Sequence, residues 1–214
     1  EFTITVSPTA QVEQVEDIVV CNGDEVAEIV FATTSENDIA YSWSIDTEIG
    51  TQSLTGVGNI PLFEADNDTN DPIVATVTVT PSNDETDPSL TCEGSSIEFT
   101  ITVNPTAQVD PVDSLDLCNG DTAVVDFTTS NGGVDSVTTY SWEITDGDSV
   151  FVGGALTGAG NINLPVINET NADLVATVTV TPTYTNDGVD CTGPSEEFTI
   201  TVSPTAQVEQ VEDI

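Results

Sequence analysis

The chain has 214 residues, of which 38 are Asp or Glu and none is Lys, Arg or His, giving a formal net charge of −38 at pH 7. No side-chain salt bridge can form and nothing can neutralise a phosphate, so nucleic acid and acidic membrane surfaces are excluded as electrostatic partners. The same absences remove the His of a nucleophilic triad, the Lys of a Schiff base or phosphate-binding loop and the Arg of a phosphoryl clamp. Paired carboxylates could still support glycoside hydrolysis, but every acidic residue that can be placed falls in a turn or on a solvent-facing strand position. The expectation is that the chain is not an enzyme and requires no cofactor.

In chain order, the first eighteen residues, Glu1 to Ile18 (EFTITVSPTAQVEQVEDI), return verbatim as Glu197 to Ile214. A close variant, EFTITVNPTAQVDPVDS, begins at Glu98, 97 residues after Glu1 and 99 before Glu197. The same step relates Cys21 to Cys118, Tyr41-Ser42-Trp43 to Tyr140-Ser141-Trp142, and Cys92 to Cys191. GVGNI at Gly56 returns as GAGNI at Gly158, and VATVTVTP recurs at Val74 and Val175. A period near a hundred residues has the size of an autonomous domain rather than a solenoid unit. The segment therefore reads as a window on a tandem array: residues 1–7 the last strand of a preceding repeat, 8–104 one repeat, 105–203 a second, and 204–214 the first strand of a following repeat.

Within the first repeat, strands are expected at Gln11 to Val15, Ala27 to Thr33, Ala40 to Ile45 and Ile60 to Glu64. They continue through the alternating runs Ala75, Val77, Val79 and Phe99, Ile101, Val103, whose apolar parity marks one buried face. Turn-rich pieces separate them: NGD at Asn22, GVGN at Gly56 and DNDTNDP at Asp66. About seven short strands per repeat and no amphipathic helical spacing give an all-β class of tandem immunoglobulin-like β-sandwiches. Laying Phe31 on Phe127 and Ile29 on Val125 puts these residues inward, because the other parity, Glu28 with Val124 and Val30 with Asp126, tolerates charge. Trp43 and Trp142, flanked by apolar residues two positions away, read as core rather than as a sugar-stacking platform. Asn104-Pro105 leads from one repeat to the next without a flexible linker, as do Pro8 and Pro204 at the equivalent places, so a stiff rod is expected.

Two sets of residues are candidates for chemistry. Asp66, Asp68 and Asp71 form a loop of hard oxygen donors that could hold calcium, as do Asp84, Glu85 and Asp87, although neither has EF-hand spacing and the second repeat has Asn168, Glu169, Asn171 and Asp173 at the first cluster. Four cysteines without CxxC spacing argue for disulfides and an oxidising, extracellular location. Cys21–Cys92 and Cys118–Cys191 are the pairings within a repeat. In a sandwich, however, these cysteines belong to opposite ends, roughly 25 to 30 Å apart by strand length, against a Cα limit of about 7 Å. A bridge between repeats, Cys21–Cys191, is therefore favoured, with Cys92 and Cys118 open to neighbours beyond this segment.

The strings VCNGD, YSW, GxGNI, VATVTVTP and EFTITVNPTAQV, recurring in order over the whole segment, resemble the PKD-like, immunoglobulin-like tandem repeats of giant surface adhesins in gliding bacteria of the Bacteroidota. The resemblance implies export by the type IX secretion system, display on the outside of the outer membrane as a filament, and force transmission to a substratum. It implies partners in neighbouring repeats of the same chain, an external surface or polysaccharide, and gliding or secretion machinery reached through parts outside this segment. It supplies no functional residues and no membrane-inserted part. The alternative is a carbohydrate-binding or spacer module of a secreted polysaccharide-degrading enzyme.

Overall fold

The computed structural model describes residue 2 and residues 9–34, 39–83, 92–147 and 150–207. Pro8, the cluster Asp84, Glu85 and Asp87, most of the leading segment 1–7 and the end of the trailing segment 204–214 lie outside the described residues. All regular structure among those described is β, and none of it is a helix long and apolar enough to cross a membrane. Two compact units are present: Glu1–Thr106 with Asp187–Val189, and Ala107–Asn186 with Asp190–Ile214.

The first unit contains β1 (Ile18–Cys21), β2 (Glu25–Val26), β3 (Ile39–Ile45), β4 (Thr55–Val57), β5 (Phe63–Glu64), β6 (Ile73–Asn83) and β7 (Ile97–Asn104). Five of them form a sheet in the order β1-β7-β6-β3-β4, and β2 pairs with β5 in a small second layer. The second layer is extended by isolated bridges, Ile29 with Ile60 and Gly50 with Ala65. First and last strands lie parallel, Ile18 opposite Ile101 and Cys21 opposite Asn104. Between the layers Ala75, Val77, Val79, Phe99, Ile101 and Val103 from the sheet meet Val26, Ile29, Phe31, Ile60 and Phe63. The threonines that alternate with them on β6, Thr76, Thr78 and Thr80, lie half-buried on the other face of the sheet, which is why the VATVTVTP string can be so polar and still be a central strand, whereas Thr102 on β7 is buried.

The second unit repeats this plan with β8 (Leu115–Cys118), β9 (Thr122–Val125), β10 (Val137–Gly147), β11 (Thr157–Ala159), β12 (Ile162–Pro165), β13 (Leu174–Asn186), β14 (Val189–Thr192) and β15 (Glu196–Ser203). Its main sheet runs β11-β10-β13-β15-β8, β14 adds to β13, and β12 pairs with β9. Asp187 and Gly188, both at positive φ (48° and 77°), make the two-residue turn between β13 and β14. Such a turn matches the twist of the strands it joins. Tyr184 on β13 is fully buried and donates its hydroxyl to the Gly132 carbonyl at 2.8 Å, tying the loop before β10 to the sheet.

Two strand expectations are corrected. Gln11 to Val15 forms no ladder: one backbone bond, Glu13 N–H to the Ala32 carbonyl at 2.9 Å, accompanies side-chain packing of Val12 and Val15 on the core. The edge strand is Ile18–Cys21 instead, entered where the Asp17 carboxylate takes the Thr100 N–H at 2.6 Å. Ala27 to Thr33 forms no strand either: it keeps only the isolated bridge of Ile29 to Ile60, and the paired strand β2, Glu25–Val26, lies just before it. Trp43 and Trp142 are each only 5% exposed. They are core residues, with Gly56 and Gly158 so close to the indole rings that a Cβ at either glycine would overlap them.

Candidate functional site where the chain leaves each unit

The Cys-Asn-Gly-Asp turn after the first strand builds the site. In the first unit the Cys21 N–H donates to Asp24 Oδ2 at 3.1 Å and the Asp24 N–H returns to the Cys21 carbonyl at 3.1 Å. Gly23 sits at φ +83°, a conformation in which a side chain would be strained. Asn22 is thereby aimed outward from the turn toward the end of β7. Its N–H donates to the Asn104 carbonyl at 2.9 Å and its side-chain amide to the Thr106 hydroxyl at 2.8 Å, while its Oδ1 accepts the Asn67 N–H at 2.8 Å. Every one of these bonds has a counterpart in the second unit. Asn119 reaches the Ser203 carbonyl at 2.8 Å and the Thr205 hydroxyl at 3.0 Å, and accepts from the Asn168 N–H at 2.8 Å.

A second asparagine locks the loop below. Asn67, 2% exposed, donates to the Asp71 carbonyl at 2.9 Å and the Val103 carbonyl at 2.7 Å, and its Oδ1 accepts the Thr69 N–H and hydroxyl at 2.9 and 2.7 Å. Asn168 does the same with Ala172, Val202 and Thr170. A buried amide with all four bonds made is a rigid fixture, since losing any partner would strand a desolvated group. The sequence reading placed Asn22 in a turn and Asn168 in the counterpart of the candidate calcium loop, but did not single out the clamping role of Asn22, Asn67 or their counterparts. The available signal was the recurrence of Asn-Gly-Asp and Asn-x-Thr-Asn at the same offsets in both copies.

The candidate calcium residues Asp66, Asp68 and Asp71 are all exposed on this loop, and Asp71 meets Asn67 through its backbone carbonyl. Among the described residues no group of three or more His, Cys, Asp or Glu side chains converges as a ligand set. Carboxylates instead take N–H and hydroxyl donors. Asp46 accepts the Thr76 N–H at 2.8 Å, and that bond holds its carboxyl below the ordinary range. Tyr41 and Tyr140 are pushed above the ordinary tyrosine value by burial, with the nearby charges of Glu13 and Asp110 adding to it.

Cys21 and Cys191 are disulfide-bonded. Cys118 is an exposed free thiol, and Cys92 is exposed. Two clefts open elsewhere. One of about 380 Å³ in the first unit is lined by Gln52, Leu62 and Phe63 beside Trp43. The other, about 510 Å³ in the second unit, lies over the outer face of β10, β11 and β13 and is lined by Ser141, Glu143, Thr157 and Thr181. Neither has an exposed aromatic face on its walls, Trp43, Phe63 and Trp142 being buried.

Residues 116–206 match the PKD-like domain family. Similar solved structures include the human desmocollin-1 ectodomain, 12% identical over 94% of this chain and 42% of that one with a TM-score of 0.45. Extracellular cadherin domains 3–6 of protocadherin gamma B2 are 16% identical over 92% of this chain and 52% of that one, with a TM-score of 0.43. Mouse cadherin-23 EC22-24 is 15% identical over 87% and 62%, with a TM-score of 0.38. The chain thus spans about half the length of these structures. No curated protein sequence matches it. The stretch similar to that family lies in the second unit and covers less than half of the chain, and the first unit has the same main-sheet plan as the second.

Proposed function

We propose that the chain is a structural repeat segment of a giant secreted cell-surface filament, a stalk for adhesion and gliding of the SprB-like type. The observation that carries this reading is the way each unit holds its own exit. Thr106 is bound by Asn22, and the next residue, Ala107, is fully buried and backed by Gly193, where any Cβ would overlap the Ala107 carbonyl. Each of these holds is made within its own unit, which suits a load-bearing element rather than a tether. The residue boundaries of the repeats, 8–104 and 105–203, belong to the same proposal.

A Cys21–Cys191 bridge joining consecutive repeats belongs to it as well, supported by both being disulfide-bonded while Cys118 is free. Divalent cations enter as counter-ions to a surface of net charge −38 rather than as a required cofactor. The carbohydrate-binding alternative is less favoured because the clefts present no aromatic platform. The test is immunolabelling of intact cells with antibody to this segment, together with in-frame deletion of its repeats. Surface filaments and a loss of surface attachment or gliding on deletion are expected. Soluble secretion with a polysaccharide-degrading activity would reject the reading.

A further inference from the structure

We infer that the cleft between β4 and β5 of the first unit is a docking site for an uncharged, extended peptide segment of another protein, which adds a strand to the edge of β4 and pairs its amides with Gln52 and Trp43. This goes beyond the stalk reading and does not depend on it.

Two polar side chains carry the inference. The indole Nε1 of Trp43 and both Nε2 and Oε1 of Gln52 are buried without a hydrogen-bond partner, and both residues line the cleft of about 380 Å³. A buried indole N–H or carboxamide left in this way costs folding free energy, and a bound molecule that completes its bonds is one reason to retain it. The other polar walls are already engaged. Asn59 accepts the Phe31 N–H and donates to Glu28, Ser53 donates to the Thr55 carbonyl, and Thr51 accepts the Glu64 N–H.

The second unit shows that the sandwich does not require this arrangement. Trp142 has the same glycine against its ring and an Nε1 likewise without a partner. Its connection from Phe151 to Thr157, the counterpart of Gly50 to Thr55, carries Gly153 and Gly154 and no carboxamide. Leu164 there packs on the core, whereas its counterpart Leu62 is 60% exposed at the cleft. Gln52 and the exposed Leu62 are thus additions to the shared plan.

The walls select the ligand. None of the lining residues is charged, and a net charge of −38 disfavours any anion. A peptide amide offers the C=O that the indole and Nε2 lack and the N–H that Oε1 lacks. β4 ends the main sheet and pairs only with β3 among the described residues, so its outward backbone groups beyond Thr55 are open to a further strand. Val57, 82% exposed, and Leu62 offer apolar contact to alternate side chains of such a strand. A neutral sugar can make the polar bonds, but it would find no exposed aromatic face and would leave the edge of β4 unpaired.

The experiment is NMR titration of the isotope-labelled 214-residue chain, whose two tryptophans give two indole N–H signals, assigned with a Trp43→Phe variant. The probe is a pool of short acetylated, amidated peptides built from Ala, Val, Thr and Asn. A saturable shift of the Trp43 indole and Gln52 carboxamide signals is expected, with the Trp142 indole unmoved. Gln52→Ala, which breaks no hydrogen bond among the described residues, should weaken peptide binding about tenfold, as should methylating the peptides' backbone nitrogens. An unmoved Trp43 signal overturns the inference and leaves water as the partner of these groups. Equal shifts at Trp43 and Trp142 overturn it as non-specific adsorption. Binding that survives both Gln52→Ala and backbone methylation unchanged overturns it as well, and so does a shift of Trp43 by glucose or N-acetylglucosamine as large as that by the peptides. None of these outcomes touches the stalk reading.

Discussion

The side-chain amide of Asn22 donates to the Thr106 hydroxyl at 2.8 Å across 84 positions of sequence, so the turn after the first strand holds the residue by which the chain leaves the unit. Asn22→Ala removes that bond and strips the Asn67 N–H of its acceptor. Leaving a partly buried donor unsatisfied costs roughly 1–3 kcal/mol. Urea unfolding of the first unit should shift by that amount, and small-angle scattering should show a broader distribution of end-to-end distances. An unchanged scattering profile would mean that the clamp does not stiffen the exit.

Asn168→Asp is the sharper test of the loop beneath. It removes both donors to the Ala172 and Val202 carbonyls, at 2.8 and 2.6 Å, and leaves a carboxylate oxygen facing them in a site 2% exposed. With two acceptors stranded and a charge desolvated, destabilisation of about 3 kcal/mol or more is expected. Glu169→Gln, next to it and exposed, should be near neutral. Chemical denaturation of both variants checks the contrast.

Much of the fold was legible because the strands alternate strictly: Val77, Val79, Phe99 and Ile101 are buried where parity put them, and Trp43 and Phe31 face inward as their neighbours implied. Strand edges were not legible. Whether Gln11 to Val15 or Ile18–Cys21 pairs with β7 depends on which stretch finds a free row of N–H and C=O groups, and both have apolar residues to offer. The asparagine clamps were hidden for a related reason. Asn and Asp look alike in a turn-rich acidic loop, and only the partners, carbonyls for Asn67 and solvent for Asp68, separate a fixture from a charge.

The GxGNI string predicts two different glycine effects. Gly158 lies against Trp142, so Gly158→Ala overpacks the core and should cost about 1–3 kcal/mol, with a change in the tryptophan fluorescence. Gly160 has open space around it but sits at φ +69°, so Gly160→Ala should cost roughly 1–2 kcal/mol through the backbone alone and leave the tryptophan signal unaltered. The downstream Asn161 explains the rest of the string, taking the Phe127 N–H at 3.1 Å and donating to Asp126 at 2.8 Å.

The pH response should have opposite local signs. Asp46 has its carboxyl lowered by the Thr76 N–H, so its contribution is present above the ordinary carboxylate range and is lost as pH falls through the folded value. Asp46→Asn should therefore lose less melting temperature on acidification than the parent. Tyr41 and Tyr140 have raised values, so the unfolded chain ionises first and stability falls as pH rises through the tyrosine range. Tyr140→Phe should flatten the alkaline limb, measured by melting curves across pH.

Salt separates screening from a specific cation site. With 38 carboxylates and no side-chain cation, repulsion opposes the compact state, and raising ionic strength shortens its reach from about 10 Å at 0.1 M to about 3 Å at 1 M. Melting temperature should climb with sodium chloride, and calcium should act at lower concentration by virtue of its double charge. Because Asp66, Asp68 and Asp71 are exposed and the loop is already held by the four bonds of Asn67, replacing all three aspartates by Asn should reduce the calcium response only in proportion to the charge removed. A saturable calcium step that disappears entirely in the triple variant would instead establish a dedicated site, and the loop would then have to rearrange to bring the three carboxylates together.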